Sequence, residues 1–472
     1  MVPTSIPSHS FQYDLLCIGS GPAGQRAAIQ AAKIGKRVAL IEKRRVMGGT
    51  CLDTATIPSK TFREAVLSFS GLNFRWLFKQ QAHPPRPSMD QLIGRVTEVI
   101  QIEGEILHDQ LRRNDVRLIQ GQAAFRDDHT LELQNEEGIS TITADKILIA
   151  VGTRPTAPPG VELDDETILD SDSILNFKRL PRSLTVVGAG VIGLEYASMF
   201  GILGVEVTLV DTQTRPLEFL DGEIVDELIH QMRNHQVTFR LGETVESLER
   251  VKKPRPRAII HLASGKRLVS DAVLYSVGRT GATDALGLHK INLKTDDRGR
   301  LHVDHQFRTQ IPHIFAAGDV IGFPSLAATS SEQGRLAACH AFGIQAEPMT
   351  AHFPVGIYSI PEISMVGATE EQLTQDKVPY EMGVARYRDI ARGTIMGDHS
   401  GMLKLLFHRK DYRLLGVHAI GTGATELIHI GQAILHTERG LDYFLTTVFN
   451  YPTLAECYKV AALDASNKLR EG

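Results

Sequence analysis

Short apolar runs and helical stretches alternate in a repeated order along the first half of the chain. Residues 13–18 (YDLLCI) are apolar and end at a glycine, residues 24–34 have helical periodicity, and residues 37–41 (RVALI) form a second apolar run. A buried parallel strand, a helix and another strand within about thirty residues are typical of a βαβ unit. The same order recurs between 184–187 (LTVV) and 205–210 (VEVTLV). The pattern therefore predicts two βαβ modules.

Two further apolar strands mark the places where the chain passes between modules. Each ends in a glycine and an arginine, at 147–154 (ILIAVGTR) and 273–279 (VLYSVGR). After 314–320 (IFAAGDV) we expect a helix to about residue 345, followed by alternating antiparallel strands and helices without a glycine-rich loop. The predicted segments are 1–154 and 281–345 for the first module in two parts, 155–280 for the second, and 346–472 for a different C-terminal domain.

Polar residues and prolines predict two irregular stretches. The first dozen residues are polar and contain proline and serine, which favours an unstructured lead-in. Residues 61–113 have a charged helical pattern that HPPRP at 83–87 interrupts, and successive prolines break helices. We therefore expect a loop at 83–87.

A glycine-rich loop follows the first strand of each module, and an acid ends the second strand. Such glycines permit a tight turn, close approach of a pyrophosphate and close helix packing, while the helix N-terminus supplies N–H donors and the acid accepts ribose hydroxyls. Two dinucleotides in one chain favour electron transfer between them, with FAD held permanently and a nicotinamide nucleotide exchanged. The predicted contacts are Gly19, Gly21, Gly24 and Glu42 in the first module, and Gly188, Gly190, Gly193 and Asp211 in the second.

Composition and charge exclude several classes of protein. Lys+Arg 51 against Asp+Glu 55 gives a net charge of −4, so no general basic field is present for nucleic acid. No apolar run is long enough to cross a membrane and the first residues lack a signal-peptide pattern, so we expect a cytoplasmic protein without a membrane partner. The 4 cysteines lie far apart, which favours neither a disulfide scaffold nor a zinc module, and we expect no metal.

Ordered motifs extend over essentially the whole chain. They are GGTCLDTATIPSK at 48–60, GTRP at 152–155, GAGVIGLE at 188–195, SVGR at 276–279, FAAGDV at 315–320, IPEISMVG at 360–367 and YPTLAE at 451–456. In these motifs the sequence resembles the flavoprotein disulfide reductases, the family of dihydrolipoamide dehydrogenase, glutathione reductase and mercuric reductase. The resemblance implies an α/β fold with two Rossmann-like domains, for FAD and for NAD(P), plus a C-terminal α+β dimerisation domain that forms a homodimer.

The resemblance also implies which residues contact the cofactors. Asp319 would bind the flavin ribityl or phosphate region, and Lys60 and Glu195 would pair beside the flavin N5. The other cofactor-binding residues that it implies are Lys43, Gly49, Thr50, Cys51, Ala123, Gly152, Arg154, Arg215, Gly278, Arg279, Gly318, Leu326 and Ala327.

Two departures from the family remove its dithiol chemistry. The reductases have a second cysteine separated from the first by four residues, and here Thr56 stands at that place after Cys51. They also have a histidine where this chain has Tyr451, although Glu456 is retained. With the active-site disulfide and its acid/base lost together, we expect the candidate catalytic residues Lys60, Glu195, Cys51, Tyr451 and Glu456 to serve another reaction.

The altered motifs, TIPSK and FNYPT, are similar to those of the transhydrogenase branch of the family. That similarity implies hydride transfer from NADPH to NAD⁺ through FAD without a disulfide. One alternative is an NAD(P)H oxidase or diaphorase that passes electrons to oxygen, quinone or another acceptor. Another is a nucleotide-sensing or complex subunit without turnover.

Three side chains keep alternative roles. Cys51 is either a thiol whose pKa Lys60 and a helix N-terminus lower, or a packing residue at the flavin. Tyr451 either donates a hydrogen bond to the partner flavin or fills space. Asp211 favours an unphosphorylated ribose while Arg215 is the nearby cation for a 2′-phosphate, so the preference between NADH and NADPH stays open.

Overall fold

The computed structural model describes residues 11–70, 87–164, 166–253 and 255–471. The predicted lead-in lies outside these ranges except for its last two residues, and so does the predicted loop at 83–87 except for Pro87.

The strands of the described ranges are β1 (Tyr13–Ile18), β2 (Val38–Glu42), β3 (Arg117–Gln120), β4 (Gln122–Phe125), β5 (Thr130–Asn135), β6 (Gly138–Ile149), β7 (Thr153–Pro155), β8 (Ile168–Leu169), β9 (Ser183–Val187), β10 (Glu206–Asp211), β11 (Val237–Leu241), β12 (Val245–Val251), β13 (Arg257–Leu262), β14 (Arg267–Ser270), β15 (Ala272–Tyr275), β16 (Arg279–Gly281), β17 (Ile314–Ala316), β18 (Val355–Ile357), β19 (Ile363–Gly367), β20 (Tyr380–Arg386), β21 (Met402–His408) and β22 (Leu414–Ile420). The α-helices are α1 (Pro22–Lys33), α2 (Gly49–Asp53), α3 (Thr56–Ser70), α4 (Met89–Arg113), α5 (Val191–Ile202), α6 (Gly222–Asn234), α7 (Ala327–Ala341), α8 (Glu370–Gln375), α9 (Ala391–Met396), α10 (Ala424–His436), α11 (Leu441–Thr446) and α12 (Glu456–Glu471).

Internal contacts divide the chain into two units. The first unit comprises Met1–Thr61, Gly94–Thr156 and Gly278–Met349, and the second comprises Phe62–Ile93, Ala157–Val277 and Thr350–Gly472. The division of the chain into the four segments expected from the sequence stays a prediction.

The first unit is built on a parallel sheet in the order β3-β2-β1-β6, with β17 beside β6. The N-terminal half of β6 pairs antiparallel with β5, which in turn pairs with β4. Strand β1 is apolar on both faces because both are covered. Leu15 and Cys17 pack against helices α1, α4 and α7, while Leu16 and Ile18 pack towards β4 and β5.

Helices α1 and α7 pack closely in this unit. A Cβ atom on Gly334 would lie 2.0 Å from the carbonyl oxygen of Ala23, so only glycine permits the observed distance between the two backbones. This contact sets α7, with its N-terminus at Ala327, against the helix that begins at the first glycine loop.

The second unit contains a parallel sheet in the order β11-β10-β9-β15-β8 and a three-stranded antiparallel sheet, β12-β13-β14. Helix α5 is buried along most of its length, which agrees with its apolar composition. The C-terminal part forms an antiparallel sheet, β18-β19-β22-β21-β20, whose core includes residues of α10 and α12. The predicted α/β fold with an antiparallel C-terminal domain is confirmed.

The helix expected after IFAAGDV is shorter than predicted. It ends at Ala341. It begins only at Ala327 because Gly318 and Gly322 have positive φ values of 82° and 91° and Pro324 follows them. Helix α3 begins at Thr56, earlier than the predicted start at residue 61. Within the described ranges, no helix combines the length and the apolar run needed to cross a bilayer.

Candidate active site

The first glycine loop connects β1 to α1 in the first unit. Gly19 has a φ of +105°, and a Cβ on Gly24 would lie 1.9 Å from the carbonyl oxygen of Gly19. Both positions therefore require glycine. Gly21 differs, because a Cβ there would meet nothing within 4 Å. That open space beside the N-terminus of α1 fits a pyrophosphate group close to the backbone.

The second glycine loop connects β9 to α5 in the second unit and has the same geometry. Gly188 has a φ of +104°, and a Cβ on Gly193 would lie 1.9 Å from the carbonyl oxygen of Gly188. A Cβ on Gly190 would meet nothing within 4 Å. Each unit thus carries one loop with the backbone of a dinucleotide-binding site.

In each of the two βαβ modules, the acid at the end of the second strand accepts hydrogen bonds from the glycine loop of the same module. Glu42 accepts hydrogen bonds from the backbone nitrogen of Ser20 at 3.0 Å and from its hydroxyl at 2.6 Å. Asp211 accepts one from the backbone nitrogen of Ala189, the equivalent loop position. A carboxylate has about four acceptor sites, so each acid retains capacity for ribose hydroxyls.

Asp319 lies in a polar cluster of the first unit. Arg279 donates through Nε to the hydroxyl of Thr153 at 2.9 Å, and the hydroxyl of Ser330 donates to Asp319 at 3.3 Å. Burial raises the pKa of Asp319, while the charge of Arg279 and hydrogen bonds from Ser330 and Thr153 partly oppose that rise. The structure therefore brings the predicted residues Asp319 and Arg279 together through Thr153, which the sequence analysis did not single out.

Cys51 lies beside the residue that replaces the second cysteine. Burial raises the pKa of its thiol, a hydrogen bond with Thr56 lowers it, Asp319 raises it and Lys60 lowers it, and the net direction is upward. The thiol is therefore protonated near neutral pH. The alternative that Cys51 has a lowered pKa is wrong, because burial outweighs the charge of Lys60.

Glu195 is buried in α5, with 3% of its surface exposed. Its Oε1 accepts the backbone N–H of Tyr358 at 2.9 Å, and one turn later the hydroxyl of Ser198 accepts the N–H of Ile360 at 3.0 Å. Helix α5 thus holds the backbone that precedes β19. The pairing of Glu195 with Lys60 beside a flavin stays a prediction.

The same backbone segment is held by Arg63 of α3. Its Nη2 lies 3.0 Å from Glu362, its Nε donates to the carbonyl oxygen of Ser359 at 3.1 Å, and both charged side chains are 7% exposed. This ion pair was not predicted from the sequence. Its available signal was the glutamate inside IPEISMVG, an acid in an otherwise apolar motif.

Tyr451 precedes α12 and Glu456 is its first residue. Tyr451 is 67% exposed. Glu456 begins α12, and its Oε2 is buried without a hydrogen-bond partner among the described residues. The glutamate of the family motif is therefore retained, and its Oε2 accepts no hydrogen bond from the described part of the chain.

The other predicted cofactor-binding residues of the first unit lie at strand ends, at helix starts or in the loops beside them. Arg154 pairs with Asp284 at 2.6 Å and Gly152 has a φ of +64°. The remaining positions are Lys43 after β2, Gly49 and Thr50 in α2, Ala123 in β4, Gly278 before β16, Gly318 after β17, and Leu326 and Ala327 at the start of α7. Their contacts with a cofactor stay predictions.

Arg215 follows β10 and is already engaged. Its Nη2 donates to the carbonyl oxygen of Gly222 at 2.7 Å and lies 3.0 Å from Asp226. Contact with a 2′-phosphate stays a prediction, and it would require this guanidinium to be shared with the phosphate or released to it.

Lys404 is a buried charge that the sequence analysis missed. It is 0% exposed and lies 3.0 Å from Asp221 and 3.3 Å from Glu223, with Glu370 also in contact. In the sequence it interrupts an apolar strand pattern, MLKLLFH, and nothing nearby marks its partners.

Among the residues that the structure describes, two groups of side chains have the composition of metal ligands. Asp221, Glu223 and Glu370 lie close enough to share an ion, but the ammonium of Lys404 already contacts all three. Asp128, His129 and His313 form the other group, in which the imidazole rings stack with centroids 3.8 Å apart. Neither group was predicted from the sequence.

Comparison with known proteins places these features in a family. The profile described as pyridine nucleotide-disulphide oxidoreductase matches residues 13–334, and the profile described as its dimerisation domain matches residues 353–462.

Curated relatives resemble the chain over nearly its whole length. A protein of Mycobacterium tuberculosis named soluble pyridine nucleotide transhydrogenase is 52% identical over 97% of this chain and 98% of its own length. A protein of the same name from Klebsiella pneumoniae is 45% identical over 98% of this chain and 100% of its own.

Solved structures of other proteins have the same fold as this chain. LpdA from Mycobacterium tuberculosis superimposes with a TM-score of 0.87 at 26% identity, covering 95% of this chain and 99% of that one. The HOCl-induced flavoprotein disulfide reductase RclA from Escherichia coli gives a TM-score of 0.86 at 27% identity, covering 96% and 99%. The resemblance found in the sequence motifs is confirmed, and the chain belongs to the pyridine nucleotide-disulphide oxidoreductase family.

Proposed function

We propose that the protein is an FAD-dependent pyridine nucleotide transhydrogenase, which transfers hydride from NADPH to NAD⁺ through the flavin. The observation that carries the proposal is the pair of glycine loops with matching backbone geometry, in a chain where Thr56 replaces the second redox cysteine. Two dinucleotide sites without a dithiol suit transfer between nucleotides. The relatives at 45% and 52% identity that are named soluble pyridine nucleotide transhydrogenase support it.

The residues of the first unit fit FAD. The open space at Gly21 and the N-terminus of α1 suit its pyrophosphate, and Glu42 retains acceptor capacity for its ribose. Asp319, in its cluster with Thr153 and Arg279, would accept hydroxyl hydrogens of the ribityl chain. FAD, when bound, supplies the group that accepts a hydride from one nicotinamide and returns it to another.

The chain contributes mainly binding and orientation. The second glycine loop and Asp211 would hold the adenosine half of NADPH or NAD⁺ in turn, which converts an encounter into an oriented transfer. Lys60 and Glu195 would form an ion pair beside the flavin. Tyr358 fixes the carboxylate of Glu195 through its backbone N–H, so that the glutamate keeps one orientation.

The residues at the altered motifs support a reaction without a thiol step. A thiolate is the nucleophile in dithiol chemistry, and burial raises the pKa of Cys51. Thr56 can form no disulfide, and Tyr451 stands where the reductases have their acid/base histidine. Cys51 is therefore a packing residue in this proposal.

A homodimer and a cytoplasmic location complete the proposal. The dimerisation-domain profile at 353–462 supports a dimer of two copies, whose C-terminal segments would complete the partner's flavin site. The relatives named as soluble enzymes support the location.

An anaerobic half-reaction tests the function. The purified yellow protein receives one equivalent of NADPH and then NAD⁺, while the visible flavin absorbance and the NADH formed are recorded. Bleaching that NAD⁺ reverses, with stoichiometric NADH, is expected. Bleaching that persists until oxygen or quinone is added would contradict the proposal and favour an oxidase or diaphorase. Unchanged absorbance with either nucleotide would favour a subunit without turnover.

A glycine variant checks that the second loop binds the nicotinamide nucleotide. In Gly193→Ala the new Cβ would lie 1.9 Å from the oxygen of Gly188, so NADPH should no longer bleach the flavin although FAD stays bound. Gly94→Ala is the matched control, because its Cβ would meet nothing within 4 Å. Normal bleaching by the Gly193 variant would place the nicotinamide nucleotide elsewhere.

A further inference from the structure

The start of α6 is held by a residue of the C-terminal domain. Glu371, in the first turn of α8, accepts the backbone N–H of Gly222 through Oε1 at 2.9 Å. Arg215 donates to the carbonyl oxygen of the same residue, in the next peptide group, at 2.7 Å. Both side chains therefore meet at the first residue of α6.

The buried lysine fixes the preceding residue. Asp221 is the N-cap of α6 and is 1% exposed, and it pairs with Lys404 at 3.0 Å. Lys404 also contacts Glu370, the neighbour of Glu371 in α8. Glu371 thus contacts Gly222 directly, and Glu370 is linked to Asp221 through Lys404. We name Asp221, Gly222, Glu370, Glu371 and Lys404 the α6 clamp.

The stretch between β10 and α6 is consequently fixed at both ends. At its start, Asp211 accepts the backbone N–H of Gln213 at 2.8 Å as well as that of Ala189. At its end lies the α6 clamp, and Arg215 stands between them. The contacts of Asp211 do not include any residue of the clamp, so the acid that would bind an unphosphorylated ribose is held independently.

Arg215 has donors available for a phosphate. Its Nη2 makes both hydrogen bonds, to Gly222 and to Asp226, while Nε and Nη1 have no hydrogen-bond partner within the described ranges. The ion pair with Asp226 is exposed, at 41% and 71% of the two side chains, and such pairs contribute little free energy. A guanidinium anchored on a backbone carbonyl with two other nitrogens available can bind a phosphate at two oxygens.

We propose that Glu371, supported by Lys404, is a specificity-positioning residue for NADP(H). From the C-terminal domain it holds Gly222, and through the carbonyl of Gly222 it keeps Arg215 where an adenosine 2′-phosphate is recognised. NAD(H) lacks this phosphate and depends on Asp211 instead. The inference rests on the proposed function only in taking the second glycine loop as the nicotinamide nucleotide site.

Substitution of Gly222 gives the sharpest test. In Gly222→Ala the Cβ would lie 2.6 Å from Oε1 of Glu371 and 2.7 Å from Nη2 of Arg215, so both side chains must move. Helix α6 begins at Gly222, and alanine is the better helix former, so the variant should fold. A change in nucleotide binding by this variant can therefore be assigned to the displaced side chains of Glu371 and Arg215 and not to a general loss of stability.

Three variants of α8 complete the set. Glu371→Ala removes the acceptor for the Gly222 N–H, whereas Glu371→Gln retains an acceptor without the charge. Asp376→Asn is the matched control, since Asp376 is exposed at the opposite end of α8 and outside the clamp.

The measurement is equilibrium binding of NADP⁺ and of NAD⁺ to the oxidised holoenzyme by titration calorimetry. Losing one hydrogen bond to a charged group typically changes a binding constant by about tenfold. We expect Kd for NADP⁺ to rise about three- to tenfold in the Gly222→Ala and Glu371→Ala proteins, with Kd for NAD⁺ within about twofold. The Glu371→Gln protein and the control should retain the wild-type ratio.

Equal changes for both nucleotides, or no change for either, would overturn the inference. Because binding is measured without turnover, failure of the proposed function is seen separately, in the anaerobic half-reaction. A shifted binding ratio in a protein that transfers no hydride to NAD⁺ would support the clamp and contradict the transhydrogenase.

Discussion

Replacement of Lys404 by methionine tests how the second unit tolerates its buried charges. Methionine has a similar length and no charge, so the substitution removes the ammonium with little change in volume. It leaves Asp221, which is 1% exposed, without its cation. Glu223 and Glu370 are 42% and 30% exposed, so water can replace the lysine around them.

The expected loss follows from these exposures. Breaking a buried ion pair by removing one partner typically costs about 3–5 kcal/mol, because the other charge stays buried without compensation. Only Asp221 meets that condition in full, so the loss should come from one carboxylate. Against a domain stability of about 5–15 kcal/mol this is a large fraction, and the melting temperature should fall by on the order of 10 °C.

A second substitution should restore most of the stability. Asp221→Asn removes the stranded charge, and asparagine is as good an N-cap for α6 as aspartate. The double variant Lys404→Met, Asp221→Asn is therefore expected within about 2 kcal/mol of the wild-type protein, since replacing both charges avoids an unpaired one.

The pH dependence provides an independent check. Burial lowers the pKa of Lys404, but hydrogen bonds and charges from Glu370 and Asp221 raise it by more, and the net direction is upward. A lysine with a raised pKa in the folded state stabilises the protein fully below the unfolded value of about 10.4, and this contribution is lost as pH rises through the folded value. The wild-type protein should therefore lose stability above about pH 10.4, and the methionine variant should lack this loss.

Thermal and urea unfolding of the holoenzyme, followed by circular dichroism, measures these differences. The wild-type protein, both single variants and the double variant form a mutant cycle. If the methionine variant unfolds within about 1 kcal/mol of the wild type, or if Asp221→Asn brings no recovery, Lys404 does not compensate a buried charge in the way described.

Three further predictions concern separate elements. Gly334→Ala should destabilise the first unit by about 1–3 kcal/mol through overpacking against Ala23, and FAD should be released at a lower temperature in a fluorescence melt; unchanged release would contradict the close contact of α1 with α7. Iodoacetamide should modify Cys51 slowly near pH 8 and faster as pH rises, as mass spectrometry of the holoenzyme can measure. Thr56→Val should slow the labelling further, because a hydrogen bond that lowers the pKa of the thiol is lost. Faster labelling of Cys51 in that variant would refute the argument. Thr369→Ala removes the capping box of α8 and should cost about 0.5–2 kcal/mol in urea unfolding, whereas Thr369→Ser should be near the wild type.

Much of the fold and of the nucleotide sites could be predicted because the signals are local. Alternating strands and helices, glycines at fixed spacing and an acid at a strand end lie within a few tens of residues of one another. In the structure, a Cβ on Gly24 or on Gly193 would lie 1.9 Å from a carbonyl oxygen of the same loop, so both positions require glycine. Helix limits were predicted less well, as at α7, where the glycine and proline residues before the helix delay its start.

The side chains that hold the sites could not be predicted, since their partners are far away in the sequence. Arg63 pairs with Glu362 and Lys404 pairs with Asp221, each across a separation that no periodicity marks. The direction of the Cys51 pKa was likewise undecided in the sequence, where Lys60 favours one direction. Burial, which only the packed structure has, favours the other and outweighs it.

The sequence by itself therefore determined the family, the two dinucleotide loops and the loss of the dithiol, because each depends on residue identity at short spacing. The tertiary structure decided which carboxylates are neutralised, how Glu195 is oriented and where Arg215 is anchored. These properties depend on desolvation and on contacts between segments that are distant in the sequence. Both arise only when the folded chain packs those segments against one another.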